Sequence, residues 1–302
     1  MVKKTLCFSN RTRLSLRLGQ LVIQLAGSEG EVTTVTRPIE DIGVIILESH
    51  DITLTSALMA YLAKSNVAVM ICDEKHIPSG MMLPLTYNST ATEKASAQIA
   101  SSQPLKKQLW QQTVAAKISN QGALLSRKCS GETGCMAVWA KSVRSGDKEN
   151  LEARAAVFYW KNLFPEHYGF GRGDESHPSN PLLNYGYAIL RAIVARAIVA
   201  PGLIPSIGLF PSNKYNPYCL ADDIMEPYRP YVDSLVCEII DRHGIDCELT
   251  REIKAELLQV PVMDVRIGNF RRPLMVAVTT TVASLAKCYS GDIRKILYPT
   301  FE

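Results

Sequence analysis

The sequence predicts an α+β chain of two domains, a small β-rich domain with one embedded helix followed by a helical domain. Three observations carry that expectation. Residues 5–83 have the texture of strands, residues 73–88 have linker chemistry, and beyond them the apolar residues recur at three to four positions. A length of 302 residues suits two cores better than one or three.

In the first part Leu14, Leu16 and Leu18 alternate with polar residues, and Leu21-Val22-Ile23-Gln24-Leu25 and Val44-Ile45-Ile46-Leu47 are short branched runs. Thr53 or Thr55 can cap a helix carrying Leu58, Met59, Leu62 and Ala63, ahead of a strand from Val67 to Cys72. Pro78, Gly80 and Pro84 punctuate the linker, which sets the domains at 1–85 and 86–302. Helical periodicity then marks 93–126, 150–164, 181–200, 219–243, 250–258 and 272–288 with almost no alternation, so the second domain is expected to be all-α.

Composition narrows the function classes. With 47% apolar and 21% charged residues, the chain is neither disordered nor a disulfide-rich scaffold. Eight cysteines without paired spacing, and an amino terminus lacking the apolar core of a secretory signal, lead to the expectation of reduced thiols and a cytoplasmic location. The apolar run 188–208 is broken by Arg191, Arg196, Pro201 and Pro205, so it reads as a buried helix and loop rather than a membrane span. A net charge of +4 does not announce a nucleic-acid binder; the local clusters Lys106/Lys107, Arg127/Lys128, Arg191/Arg196 and Arg266/Arg271/Arg272 are the candidates. The glycines of 168–174 follow no strand and read as a surface loop, not a phosphate cradle.

Two acidic segments can carry chemistry. In Leu220-Ala221-Asp222-Asp223-Ile224-Met225-Glu226, the side chains of Asp223 and Glu226 share one helix face, where paired carboxylates can hold a hard divalent cation for phosphoryl chemistry. Glu152 opens a helix of small residues that Asn150 can cap. Taken singly, each carboxylate is also accounted for by the helix dipole, which favours acids in a first turn by a few tenths to about 1 kcal/mol.

Taken together, the segments Glu152-Ala-Arg-Ala-Ala156, Asn184-Tyr-Gly-Tyr-Ala-Ile-Leu-Arg191, Gly202-Leu-Ile-Pro-Ser-Ile-Gly-Leu209 and Ala221-Asp-Asp-Ile-Met-Glu-Pro-Tyr-Arg-Pro230 resemble, in order and spacing, the CRISPR-associated adaptation integrase family. Pro38-Ile-Glu-Asp-Ile-Gly43 and Asn66-Val-Ala-Val-Met-Ile-Cys-Asp73 extend the resemblance over most of the chain, and the acidic segment resembles the type II branch. The resemblance implies a β-sandwich-like amino-terminal domain that dimerises and a helical domain with a manganese or magnesium site. It implies that Glu152 and Glu226 are catalytic ion ligands with Asp223 beside them, and that the partners are protospacer and repeat DNA and a small companion protein.

It also implies a histidine where this chain has Pro211, and none of His50, His76, His167, His177 and His243 is near that point in sequence. Proline offers no side-chain ligand, so ion binding is expected to weaken by at least about tenfold. For DNA, Arg191 and Arg196 suit phosphates, while Tyr187 and Tyr215, with Tyr185 and Tyr218, offer hydroxyls and stacking faces or else pack in the core. Three readings follow: an integrase that inserts spacers by transesterification, a catalytically weakened scaffold of the same complex that captures DNA, and a general nucleic-acid-binding protein.

Overall fold

A computed structural model of the chain describes residues 3–26, 31–74, 78–84, 89–129, 133–164, 170–172, 177–210 and 215–302. The amino-terminal part has two four-stranded sheets. The first, ordered β1-β5-β7-β8, comprises β1 (Lys4–Phe8), β5 (Ile42–Leu47), β7 (Ala68–Cys72) and β8 (Pro78–Met82). Its β1/β5 and β5/β7 pairs are parallel and β7/β8 is antiparallel. The second, ordered β4-β3-β2-β6, comprises β2 (Thr12–Arg17), β3 (Gln20–Ala26), β4 (Val32–Pro38) and β6 (Ile52–Leu54).

Side-chain direction alternates along a strand, and it divides the first sheet between two cores. Ile45, Leu47, Val67 and Val69 join Leu14, Leu21 and Ile23 between the sheets. Val44, Ile46, Ala68, Met70 and Cys72 point the other way, into the core of the helical part. A sheet buried on both faces needs apolar residues at every position, which is why 42–47 reads as an unbroken apolar run. The embedded helix α1 (Ser56–Lys64) is capped by Thr55, whose hydroxyl accepts from Leu58 N, and it buries Leu58 and Leu62 in the inter-sheet core. The boundary expected at residue 85 lies outside the described residues.

The helical part comprises α2 (Ala91–Ala100), α3 (Gln103–Lys128), α4 (Gly134–Ser142), α5 (Leu151–Leu163), α6 (Ser179–Val199), α7 (Cys219–Met225), α8 (Arg229–His243), α9 (Arg251–Leu257) and α10 (Leu274–Ser290). The helix α6 is long and apolar enough to cross a membrane, yet it is the central core helix, buried over most of its length. Gly186 permits its close crossing with α8, because a Cβ there would sit 2.5 Å from Val232 Cγ1.

Three local expectations change. The helical pattern over 93–126 is two helices, since Pro104 enters the first turn of α3 and Ser102 accepts from Leu105 N to start it afresh. Likewise Pro227 and Pro230 divide 219–243 into α7, a 3-10 turn at Glu226–Tyr228, and α8. The second domain is helical as expected but not wholly so: β9 (Asp264–Ile267), β10 (Phe270–Pro273) and β11 (Pro299–Thr300) form a small antiparallel sheet ordered β10-β9-β11. Four-residue strands are shorter than the window in which periodicity speaks, although Val265 and Ile267 do alternate as buried with exposed Asp264 and Arg266.

Candidate active site

The helix α3 carries Lys117 on its core side, between buried Val114 and Ile118 on one hand and Asn120 and Gln121 on the other. Its ammonium lies 2.7 Å from Glu152 Oε1 and 2.6 Å from Glu226 Oε2. Two carboxylates from distant parts of the chain therefore meet at one cationic point. The side chains are shielded, with exposures of 11% for Lys117, 28% for Glu152 and 14% for Glu226.

Local structure fixes each member. At the start of α5 the cap expected of Asn150 is supplied by Asp147 instead. Asn150 takes a left-handed conformation (φ 52°, ψ 42°) without a side-chain cap bond, while the Asp147 carboxylate accepts from Leu151 N and Glu152 N, each at 3.0 Å. That aims Glu152 from the first turn of α5. Glu226 sits in the 3-10 turn, and Asn120 Nδ2, one turn along α3 from Lys117, donates to Pro227 O at 2.7 Å and to Pro299 O at 3.0 Å. The helix bearing the lysine is thus tied to the turn bearing the carboxylate.

Arg229, three residues beyond Glu226, places Nε 2.8 Å from Glu226 Oε1. Neither Arg229 Nε nor Glu226 Oε2 has an aligned hydrogen bond among the described residues, so these contacts are ionic. Burial pushes the Glu226 carboxyl up, but Arg229 and Lys117 outweigh it and hold the group below the usual carboxylate range. Burial pulls Lys117 down while Glu226 and Glu152 more than restore it, so its ammonium is held charged. The guanidinium of Arg229 lies over the Tyr187 ring, 4.5 Å from its centroid. Beneath it, Tyr187 and Tyr159 both donate to Asp233, the latter at 2.6 Å. Burial pushes the Asp233 carboxyl up to about 6, against the lowering effect of the two hydroxyls.

Asp223 is engaged elsewhere. Its Oδ2 accepts from Leu209 N at 2.6 Å and Phe210 N at 3.3 Å, and burial pushes its pKa up to about 7. It caps the loop that runs into position 211, and Gly208 is required there because a Cβ would lie 2.7 Å from that oxygen. Phe210 stacks on Trp110 of α3 with centroids 5.1 Å apart, two helical turns before Lys117. The two anchors tie the loop to α7 and α3; Pro211 itself lies outside the described residues.

The residues expected to meet DNA separate into two groups. Arg191 reaches solvent and pairs with Asp222 Oδ1 at 2.5 Å, and Tyr215 is 80% exposed. Arg196 and Tyr187 are corrected. Arg196 is buried and donates from Nε to Asn66 O at 2.5 Å, tying α6 to the loop after α1, and Tyr187 is committed to Asp233 in the core. Tyr185 is buried as well, whereas Tyr218 is half-buried.

Among the described residues no group of three or more His, Cys, Asp or Glu is arranged around a common ion position. The donors present nonetheless fit a hard divalent cation. Two carboxylates converge on one cationic point, and Glu226 Oε2 is buried with no aligned hydrogen bond. Lys117, Arg229, Asp147 and Asp233 escaped the sequence reading. The available signal for Lys117 was its place on the apolar stripe Trp110-Val114-Ile118-Gln121-Leu125, where an unpaired lysine is not tolerated.

Comparison with known proteins identifies the family and the fold. The profile of the family described as "CRISPR associated protein Cas1" matches residues 6–259. Over 286 residues the chain is 37% identical to the CRISPR-associated endonuclease Cas1 of Neisseria meningitidis serogroup C (strain 8013), covering 94% of this chain and 91% of that protein. Among solved structures, a casposase bound to integration product has the same fold, with a TM-score of 0.78 at 20% identity over 97% of this chain and 92% of that one. A chain of a Cas6-RT-Cas1–Cas2 complex matches with a TM-score of 0.76 at 17% identity, over 97% of this chain and 36% of that longer one.

Proposed function

Because the chain belongs to the Cas1 family of CRISPR-associated proteins, we propose that its Glu152–Glu226 centre is the integrase site of CRISPR adaptation, joining protospacer 3′ ends to the repeat of an array. The carrying observation is the convergence of these two glutamates, one from the first turn of α5 and one from the 3-10 turn after α7, on one shielded cationic point. The chemistry is transesterification: a DNA 3′ hydroxyl oxygen attacks a backbone phosphorus, a new phosphodiester forms, and the displaced 3′ oxygen leaves with a proton. Bond number is conserved, so the reaction needs no nucleotide hydrolysis.

Glu152 and Glu226 would hold a Mn²⁺ or Mg²⁺ ion. Such an ion, when bound, supplies the Lewis acid that offsets charge growing on the phosphate. The chain's own residues do the rest. Asp147 fixes the direction of Glu152, while Arg229, steadied by the Tyr187 ring, fixes Glu226. Arg191 and Tyr215 reach solvent near α7, where they meet the DNA backbone. The proposed assembly is a homodimer through the β-rich domain with a small Cas2-like companion, acting in the cytoplasm; the complex of like fold, which contains Cas2, supports the companion.

Strand transfer of a labelled duplex into an array tests the reading. The native chain with its companion joins DNA in Mn²⁺, and Glu226→Ala lowers the rate at least about 100-fold by removing one of two ion ligands. The scaffold reading draws on Pro211 alone; a native chain that captures DNA yet joins none, with or without Mn²⁺, would favour it.

A further inference from the structure

The cationic point between the two glutamates is occupied by a part of the protein, and that part has one way to leave. Lys117 and Arg229 balance Glu152 and Glu226, so the centre is neutral as it stands. The two cations differ in freedom. Arg229 is fixed between Glu226 Oε1 and the Tyr187 ring, with Asp233 and its two tyrosines behind that ring. Lys117 ends a flexible four-carbon stem and reaches both carboxylates with a compact ammonium. Its helix cannot withdraw, because Asn120 ties α3 to Pro227 and Pro299 and also accepts from Phe301 N at 3.0 Å. Any vacating of the point is therefore a side-chain movement of Lys117.

Resting on the integrase reading, we propose that Lys117 is a resident counter-cation that holds Glu152 and Glu226 together and competes with the divalent ion for them. A dication entering beside the ammonium meets a centre already neutralised, with two positive groups in reach. Once the ammonium swings out, the same two carboxylates present both charges to the ion, and Glu226 Oε2, which lacks an aligned hydrogen bond to the lysine, is freed. The lysine thus sets the ion concentration at which the centre loads and keeps two buried carboxylates compatible with the folded state until then. It acts through the ligands and is a positioning residue.

The test is calorimetric titration of full-length native protein, Lys117→Met, Lys117→Gln and Glu226→Gln with Mn²⁺ alone. Lys117→Met and Lys117→Gln should each bind Mn²⁺ at least tenfold more tightly than the native chain, and Glu226→Gln should lose binding. Lysine variants that bind no tighter than native, while Glu226→Gln loses binding, overturn the proposal and leave the metal reading standing. Absence of Mn²⁺ binding from native and lysine variants alike overturns both. If neither lysine variant folds, native crystals soaked in Mn²⁺ decide: an anomalous peak at the glutamates with Lys117 Nζ beyond about 4 Å of both carboxylates supports the displacement, and a peak with the ammonium still in contact refutes it.

Discussion

Asp223 offers the sharpest separation between a ligand and a structural acid, and Asp223→Asn is the perturbation that makes it. The carboxylate is buried, accepts two backbone N–H groups of the loop before position 211, and has its pKa pushed up to about 7 from an ordinary value near 4. A folded pKa above the unfolded one means that the folded state holds a proton the unfolded chain has released. The associated stability is complete below about pH 4 and is lost as pH rises through about 7. Between pH 5 and pH 8 the loss is about 2.5 kcal/mol, from linkage at about 1.36 kcal/mol per unit. Asparagine keeps an acceptor for Leu209 N and Phe210 N and cannot ionise, so it removes this component alone. The raised Asp233 carboxyl, which works in the same direction, is present in both proteins and cancels. Urea unfolding at pH 5 and pH 8 reads the difference: Asp223→Asn should gain about 2.5 kcal/mol on the native chain between the two conditions. A gap that stays constant to within about 0.5 kcal/mol refutes the reasoning, since a point substitution elsewhere on the surface moves stability by no more than that. Mn²⁺ binding should survive the substitution, and its loss would return Asp223 to the ligands.

Three further outcomes follow from the placement of individual side chains. Arg196→Ala should lower stability by roughly 1–3 kcal/mol, by stranding the buried Asn66 carbonyl, and leave the DNA affinity of the folded protein unchanged in fluorescence anisotropy. Arg191→Ala should weaken binding uniformly across duplex sequences and reduce the slope of log affinity against log salt by about one, whereas a sequence-selective loss would contradict a phosphate contact. Pro211→His adds a nitrogen ligand to the loop anchored by Asp223 and Trp110. It should raise Mn²⁺ affinity by about tenfold or more and speed strand transfer, with unchanged values showing that the centre works without it.

The sequence showed strongly what depends on local chemistry. The short branched runs became strands, Thr55 capped α1, and Glu152 opened the helix α5. It was weaker wherever the answer depended on direction around a helix. Arg191 and Arg196 look alike along α6, yet one reaches solvent at α7 and the other turns to Asn66 under the β-rich part. Tyr187, open in sequence between a DNA-facing ring and core packing, is a core residue because Asp233, far along the chain, supplies a partner for its hydroxyl. Lys117 was missed for a related reason: its place beside the apolar stripe of α3 marks it as needing a partner, but the two carboxylates that make it important come from other elements, and no local pattern names them. The cap at α5 shows the limit at short range as well. Asn150 is the obvious capping type, but its left-handed backbone turns it away and Asp147 reaches over it.

The central claim is that Glu152 and Glu226 form one chemical unit, and a double-mutant cycle in strand transfer addresses it most directly. Rates are measured for the native chain, Glu152→Ala, Glu226→Ala and the double variant, with companion protein, DNA and Mn²⁺ held constant. If both carboxylates serve one ion, each single substitution removes nearly all that the pair contributes, and the double variant is no slower than the worse single one. Losses that multiply, so that the double variant falls by the product of the two single effects, would show two independent sites and contradict the account.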